Sequence, residues 1–238
     1  MSATPVTEMF DDISSRYDFL NHLLSFGIDR RWRRKTSQIV SERHPATILD
    51  VATGTADLAI RLALENPQTQ VTGVDLSEKM LEQGRAKVER KKLDGRIRLM
   101  TGDALGMPFS DNAFDAVTVA FGVRNFDSRE AGLREMVRVC REGGLVAVLE
   151  FSHPSNPWVA TPYRWYSKTL LPWLGRIVSK HPTAYRYLPS SVAAFPENEA
   201  FVEMLLSSGL CQVAVKRLSG GIATLYFGTV VKNLGKTQ

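Results

Sequence analysis

Between residues 45 and 151 the chain alternates short apolar runs with stretches in which apolar side chains recur at helical spacing. Thr47–Ala52 (TILDVA) reads as a buried strand and Asp57–Glu65 as the helix after it. Val71–Val74 is a second strand, ending at Asp75. Ser77 is a good N-cap, and Met80 and Leu81 start an apolar face that runs towards Arg90. Ile97–Met100 and Phe114–Ala120 read as a third and a fourth strand, then Arg129–Cys140 as a helix. Leu145–Glu150 is a fifth strand, entered through a turn at Gly143-Gly144. Strict alternation of strand and helix implies a parallel sheet with helices on both faces. Beyond it, Glu197–Ser208 reads as a helix, and Gln212–Leu218 and Ala223–Val231 as two strands. Their link, Ser219-Gly220-Gly221-Ile222, has the length of an antiparallel hairpin.

The flanking regions differ in character. Residues 1–44 look helical and carry a dense basic stretch, Asp29-Arg30-Arg31-Trp32-Arg33-Arg34-Lys35. Residues 152–195 interleave Trp158, Tyr163, Trp165, Tyr166, Trp173, Tyr185 and Tyr187 with Arg164, Lys168, Arg176 and Lys180. That mixture suits a headgroup-level interface, an aromatic lid, or a packed helical insertion. Residues 196–238 hold the last helix and strand pair, and the whole of 1–238 reads as one domain.

Composition narrows the classes. With 238 residues, 44% of them hydrophobic and 23% charged, the chain has enough apolar material for a sizeable core and is not expected to be disordered. The formal net charge of +5 is compatible with nucleic acid, an anionic membrane surface, an anionic cofactor, or no specific partner. Cys140 and Cys211 lie far apart and build neither a disulfide framework nor a metal site, so a reduced cytoplasmic compartment is expected. The N-terminal MSATPVTEMFDD lacks the basic and apolar regions of a secretory signal. No apolar run approaches the roughly 18 residues of a spanning helix, so the chain is expected at most to lie on a membrane.

A parallel sheet closed by an antiparallel hairpin is the layout of class I methyltransferases, whereas a dinucleotide dehydrogenase would carry a second βαβαβ half. Ligands of such sheets bind beyond the carboxyl ends of the central strands. Asp50, Asp75 and Asp103 fall at three successive strand ends. The turn Ala52-Thr53-Gly54-Thr55-Ala56 joins the first strand to its helix. Gly54 permits close backbone approach, and the helix N-terminus offers free N–H groups. Asp75 follows about 20 residues later, where a carboxylate accepts both ribose hydroxyls, and Asp103-Ala104 stands where an adenine edge would lie. The competing reading is structural: the aspartates cap the following helices and Gly54 only makes a tight turn.

Further segments resemble one family. Tyr17-Asp18-Phe19-Leu20-Asn21, with Ser25 and Trp32, is similar to the N-terminal signature of the ubiquinone/menaquinone-biosynthesis C-methyltransferases. Leu20 replaces its usual methionine and Asp29 its usual histidine. Phe121-Gly122-Val123-Arg124-Asn125 resembles the family's FG-x-RN segment. Arg138-Val139-Cys140-Arg141-Glu142-Gly143-Gly144, running on to Leu149-Glu150-Phe151-Ser152, resembles its second signature, with Arg141-Glu142 replacing Lys-Pro. Ala194-Phe195-Pro196 and Gly220-Gly221 also fit.

The resemblance implies a Rossmann-like, seven-stranded α/β fold of the class I S-adenosylmethionine-dependent methyltransferases. Its last strand is antiparallel, with N-terminal helices and a helical insertion after the fifth strand. It carries over Thr55, Asp75, Asp103 and Ala104 as cofactor-contacting positions, beside Asp50 and Gly54 of the turn, with S-adenosyl-L-methionine as the cofactor. Some members add a cofactor-contacting serine where this chain has Ala120. The implied reaction is methylation of a ring carbon of a reduced prenylated quinone: demethylmenaquinol to menaquinol, with the ubiquinone-branch benzoquinol, or both, as the alternative. The lack of a targeting extension favours the menaquinone branch.

Carbon is a poor nucleophile until a neighbouring phenol, of pKa about 10, ionises. Arg124 would stabilise the developing phenolate, and Tyr17 and Asn125 would hydrogen-bond the ring oxygens. Without the resemblance, Arg124 reads as a surface residue paired with Asp127, and Tyr17 as helix packing. The expected partner is the prenylated quinol, with no nucleic acid and no metal. Peripheral contact at the inner face of the cytoplasmic membrane and a homodimer are left open. An amino-group methyltransferase acting on nucleic acid would need an Asn/Asp-Pro-Pro-aromatic motif where this chain has FGVRNF. Another small-molecule or RNA methyltransferase, or a cofactor-binding scaffold without turnover, are the remaining readings.

Overall fold

The computed structural model describes residues 27–154, 157–158, 160–161 and 191–232. Tyr17 and most of the aromatic and basic insertion lie outside the described residues. In chain order come α1 (Asp29–Ser41), β1 (Thr47–Val51), α2 (Asp57–Glu65), β2 (Gln70–Asp75), α3 (Glu78–Arg90), β3 (Ile97–Thr101), β4 (Phe114–Ala120), α4 (Arg129–Val139) and β5 (Cys140–Phe151). Then follow α5 (Glu199–Ser207), β6 (Leu210–Leu218) and β7 (Ala223–Val230).

The strands form one sheet in the order β3-β2-β1-β4-β5-β7-β6. Every pairing is parallel except those of β7, which runs antiparallel to both β5 and β6. The expected architecture is therefore present, with the switch point between β1 and β4. The central strands are apolar on both sides because both sides are covered. Ile48 packs with Val40, Ala59 and Leu62 of α1 and α2, whereas Leu49 and Val51 join Leu133 and Met136 of α4 and Phe201 and Leu205 of α5. Ser77 caps α3 as its sequence predicts, its Oγ accepting from the Met80 N–H at 3.2 Å.

One expectation needs correction. Gly143-Gly144 is not a turn ahead of the fifth strand. β5 already pairs Cys140 with Phe114 and resumes at Leu145 opposite Ala116. The intervening residues bulge, with Gly143 at φ 72°. The basic stretch of α1 divides between surface and core. Arg30, Arg31 and Arg34 are exposed, but Trp32 and Arg33 turn inward, at 2% and 8% exposure. Among the described residues, no helix is long and apolar enough to cross a membrane.

Candidate functional site

At the switch point the chain leaves β1 through residues 52–56, a turn built on left-handed backbone. Ala52, Gly54 and Ala56 have φ of 50°, 55° and 65°. Glycine accepts that conformation freely; each alanine costs about 1 kcal/mol or more, strain of the kind held at ligand sites. The Thr53 N–H donates to Val74 O at 2.9 Å, which ties the turn to β2.

Asp50 lies under this turn, 1% exposed. Its Oδ2 accepts from Thr53 Oγ1 at 2.7 Å and its Oδ1 from Thr118 Oγ1 of β4 at 2.8 Å. Burial pushes its pKa up to about 6 from 3.8, against the opposing pull of both hydroxyls and the charge of Arg33. The folded carboxyl thus holds its proton more tightly than the unfolded one. Its contribution to stability is fully present below the unfolded pKa of 3.8 and is lost as pH rises through about 6. The expected result is a stability difference between the natural chain and Asp50→Asn that shifts by about 2 kcal/mol against the natural chain between pH 4 and 7. Denaturant titrations at several pH values check this, and a pH-independent difference would contradict it.

Asp75 braces two elements at once. Its Oδ2 accepts the Gly54 N–H at 2.8 Å and its Oδ1 the Ser77 N–H at 2.9 Å. Leu76, beside it, is 42% exposed, an apolar surface next to a carboxylate. The Gly102 N–H donates to Asp75 O at 3.0 Å, linking the ends of β2 and β3. Asp103 shapes the next turn, its Oδ1 accepting from the Leu105 N–H at 2.9 Å, while Ala104 packs into the core. Thr55 is 3% exposed, and its Oγ1 accepts from Lys87 Nζ at 2.7 Å; Lys87 also pairs with Asp57 at 2.7 Å. Of the predicted residues Gly54 and Asp75 share a direct hydrogen bond; Asp50 joins them through Thr53, and Asp103 adjoins them through the Gly102 N–H on Asp75 O.

The loop after β4 starts at Phe121, whose φ is 61°, and closes as a 3-10 turn, Val123–Asn125. Arg124 is not at the surface and does not pair with Asp127. Its side chain is 5% exposed and pairs with Glu150, itself 1% exposed, at the end of β5. Arg124 Nη1 donates to Glu150 Oε2 at 2.9 Å and to Phe121 O at 2.5 Å, and the Arg124 backbone N–H donates to Glu150 Oε1 at 3.2 Å. Arg124 Nε is buried without a hydrogen-bond partner among the described residues. Asn125 Nδ2 reaches Phe121 O at 3.5 Å. A Cβ on Gly122 would stand 2.6 Å from Ala52 Cβ, so this loop and the turn after β1 interlock at a position only glycine fits.

Sequence reasoning assigned no role to Glu150, Leu76 or Lys87. For Glu150 a signal existed: a single charged residue at the end of the apolar run Leu145–Leu149, where burial demands a cationic partner. Cys140 is an inert thiol, its pKa pushed up to about 12 by burial. His153 Nδ1 meets Glu197 Oε1 at 2.6 Å on an exposed edge.

The sequence model of the ubiE/COQ5 methyltransferase family matches residues 1–230. A demethylmenaquinone methyltransferase from Porphyromonas gingivalis is 47% identical over 225 residues, covering 94% of this chain and 91% of the relative. One from Thermus thermophilus is 46% identical, covering 92% and 99%. A ubiquinone/menaquinone biosynthesis C-methyltransferase from Geobacter sulfurreducens is 43% identical, covering 94% and 87%. Among solved structures, the [4+2]-cyclase SpnF superposes with a TM-score of 0.69 at 16% identity, covering 97% of this chain and 96% of that one. An S-adenosylmethionine-dependent methyltransferase from Thermotoga maritima superposes with 0.63 at 17%, covering 94% and 99%. The chain belongs to the ubiE/COQ5 methyltransferase family.

Proposed function

We propose that the chain methylates a ring carbon of a reduced prenylated quinone, converting demethylmenaquinol to menaquinol with S-adenosylmethionine as methyl donor. The observation that carries this reading is the position of Arg124: a buried cation on the loop that interlocks, through Gly122 and Ala52, with the turn braced by Asp75. The names of the Porphyromonas gingivalis and Thermus thermophilus relatives supply the substrate class.

The residues around that turn fit the cofactor. Asp75 offers carboxylate oxygens to ribose hydroxyls, Leu76 an apolar surface to the adenine face, and Asp103 with Ala104 a backbone edge to the base. Gly54, Thr55 and the N-terminus of α2 would hold the amino-acid portion, and Asp50 would act through the turn it holds. Bound S-adenosylmethionine supplies an electrophilic methyl group. Arg124 favours the ionised phenol of the quinol and so raises the nucleophilicity of the neighbouring carbon. Asn125 and Tyr17 orient the ring oxygens, and fixing the two reactants in line supplies much of the remaining rate. A tailed quinol is delivered from a bilayer. Exposed Arg30, Arg31 and Arg34 on α1 suit an anionic surface at the inner face of the cytoplasmic membrane.

The test is incubation with methyl-labelled cofactor and demethylmenaquinol in detergent, which is expected to put label in the quinone. Label in RNA with none in the quinone would overturn the reading. A demethylated benzoquinol is the second arm, because the Geobacter sulfurreducens relative's name covers both quinones.

A further inference from the structure

Of the basic residues in 29–35, Arg33 is the one that turns inward. Its side chain is 10% exposed and forms an ion pair with Asp29, 2% exposed, one helical turn earlier. Arg33 Cζ lies 5.3 Å from the centroid of the Phe121 ring. Phe121 lies 4.5 Å, centroid to centroid, from Phe151, and Arg124 Cζ lies 5.5 Å from the Phe151 ring. Trp32 packs on both rings, at 6.1 and 6.0 Å, and its indole N–H donates to Ser219 Oγ at 2.8 Å. The start of α1 therefore sits over the ends of β4 and β5 and the link between β6 and β7. Two guanidiniums bracket the Phe121–Phe151 pair, each paired with its own buried carboxylate.

Burying two opposite charges costs desolvation that their attraction rarely returns in full, and apolar residues of equal volume would hold α1 at least as well. Packing alone does not explain the pair. Phe121 is the left-handed residue from which the Arg124 loop springs, and its carbonyl accepts from Arg124. We infer that the Asp29–Arg33 pair is a positioning element of the acceptor side: Arg33 holds the Phe121 ring, and through it the loop that presents Arg124 and Asn125. It governs use of the quinol and leaves cofactor affinity alone, an assignment that rests on the acceptor reading above.

The experiment compares the full chain with the Asp29→Leu/Arg33→Met double variant, which removes both charges and keeps the volume. The expected result is a Tm no lower than about 3 °C below that of the natural chain and a cofactor affinity within about twofold, with kcat/KM for demethylmenaquinol down at least about tenfold. A kcat/KM within about twofold of the natural chain overturns the inference, and so does a parallel loss of Tm, cofactor affinity and turnover. Arg33→Met alone, which strands Asp29, separates the charge from the packing: it should lower kcat/KM at least as far as the double variant. If the natural chain does not methylate the quinol, the acceptor reading fails, and the inference is decided by quinone binding, followed as tryptophan quenching. Affinity at least about tenfold weaker in the double variant supports it, and unchanged affinity overturns it.

Discussion

Glu150→Gln is expected to lower both turnover and stability sharply. Glu150 accepts from the Arg124 guanidinium, the Arg124 N–H and the Phe151 N–H, all within a space that is almost fully buried. Removing one partner of a buried ion pair leaves the other charge without solvent or counterion and costs about 3–5 kcal/mol. At about 2–4 °C per kcal/mol for a chain of this size, Tm should fall by roughly 10 °C. An amide at this position also turns a donor towards a donor, which swings Arg124 away from the pose proposed above to favour a phenolate. Loss of one preorganised charge of this kind costs about a hundredfold to a thousandfold in kcat. The paired variant Arg124→Met/Glu150→Leu separates the two effects. It removes both charges, so it should be more stable than either single variant yet equally inactive. Thermal melts and steady-state kinetics on the natural chain, Glu150→Gln, Arg124→Met, Glu150→Leu and the paired variant check this. Additive losses of stability, or native kcat in Glu150→Gln, would contradict the role assigned to the pair.

The case of Glu150 shows what a sequence carries and what it withholds. The alternation of strands and helices was legible because a sheet covered on both faces needs predominantly apolar runs, and β1, β4 and residues 145–149 of β5 have them. The β6–β7 hairpin and the Ser77 cap were legible from local turn and cap chemistry. Asp75 and Asp103 were placed by their position at strand ends, a property of topology. The partner of Arg124 was not legible. Asp127 is three residues away in sequence, but the 3-10 turn points Arg124 across to β5, where the Ala120–Leu149 register places Glu150 beside it. Arg33 was hidden for a related reason. Within a run of five arginines and lysines between residues 30 and 35, only the helical phase relative to Trp32 distinguishes the buried residue from its exposed neighbours. The Gly143 bulge was misplaced because a glycine pair signals broken regularity without saying whether the break lies before or within the strand.

Asp75→Ala is expected to abolish measurable cofactor binding while the chain stays folded. Hydrogen bonds to a charged acceptor contribute about 1.5–3 kcal/mol each, so losing two to the ribose hydroxyls weakens binding by at least about a hundredfold. The substitution has a second, indirect cost. Asp75 Oδ2 also holds the Gly54 N–H at 2.8 Å, so its loss releases the left-handed turn proposed to hold the amino-acid portion of the cofactor. Asp75→Asn divides the two contributions. The amide keeps one oxygen for Gly54 or Ser77 but cannot accept from both ribose hydroxyls, so its affinity should fall between those of the natural chain and the alanine variant. Asp75 is partly exposed at a strand end, not set in the core, so the melting temperature should move far less than in Glu150→Gln. Calorimetric titration of each variant with S-adenosylmethionine, beside a thermal melt, makes the comparison. Unchanged affinity in Asp75→Ala would mean that the carboxylate serves only to brace the Gly54 turn and the start of α3, and the cofactor assignment at the end of β2 would fall with it.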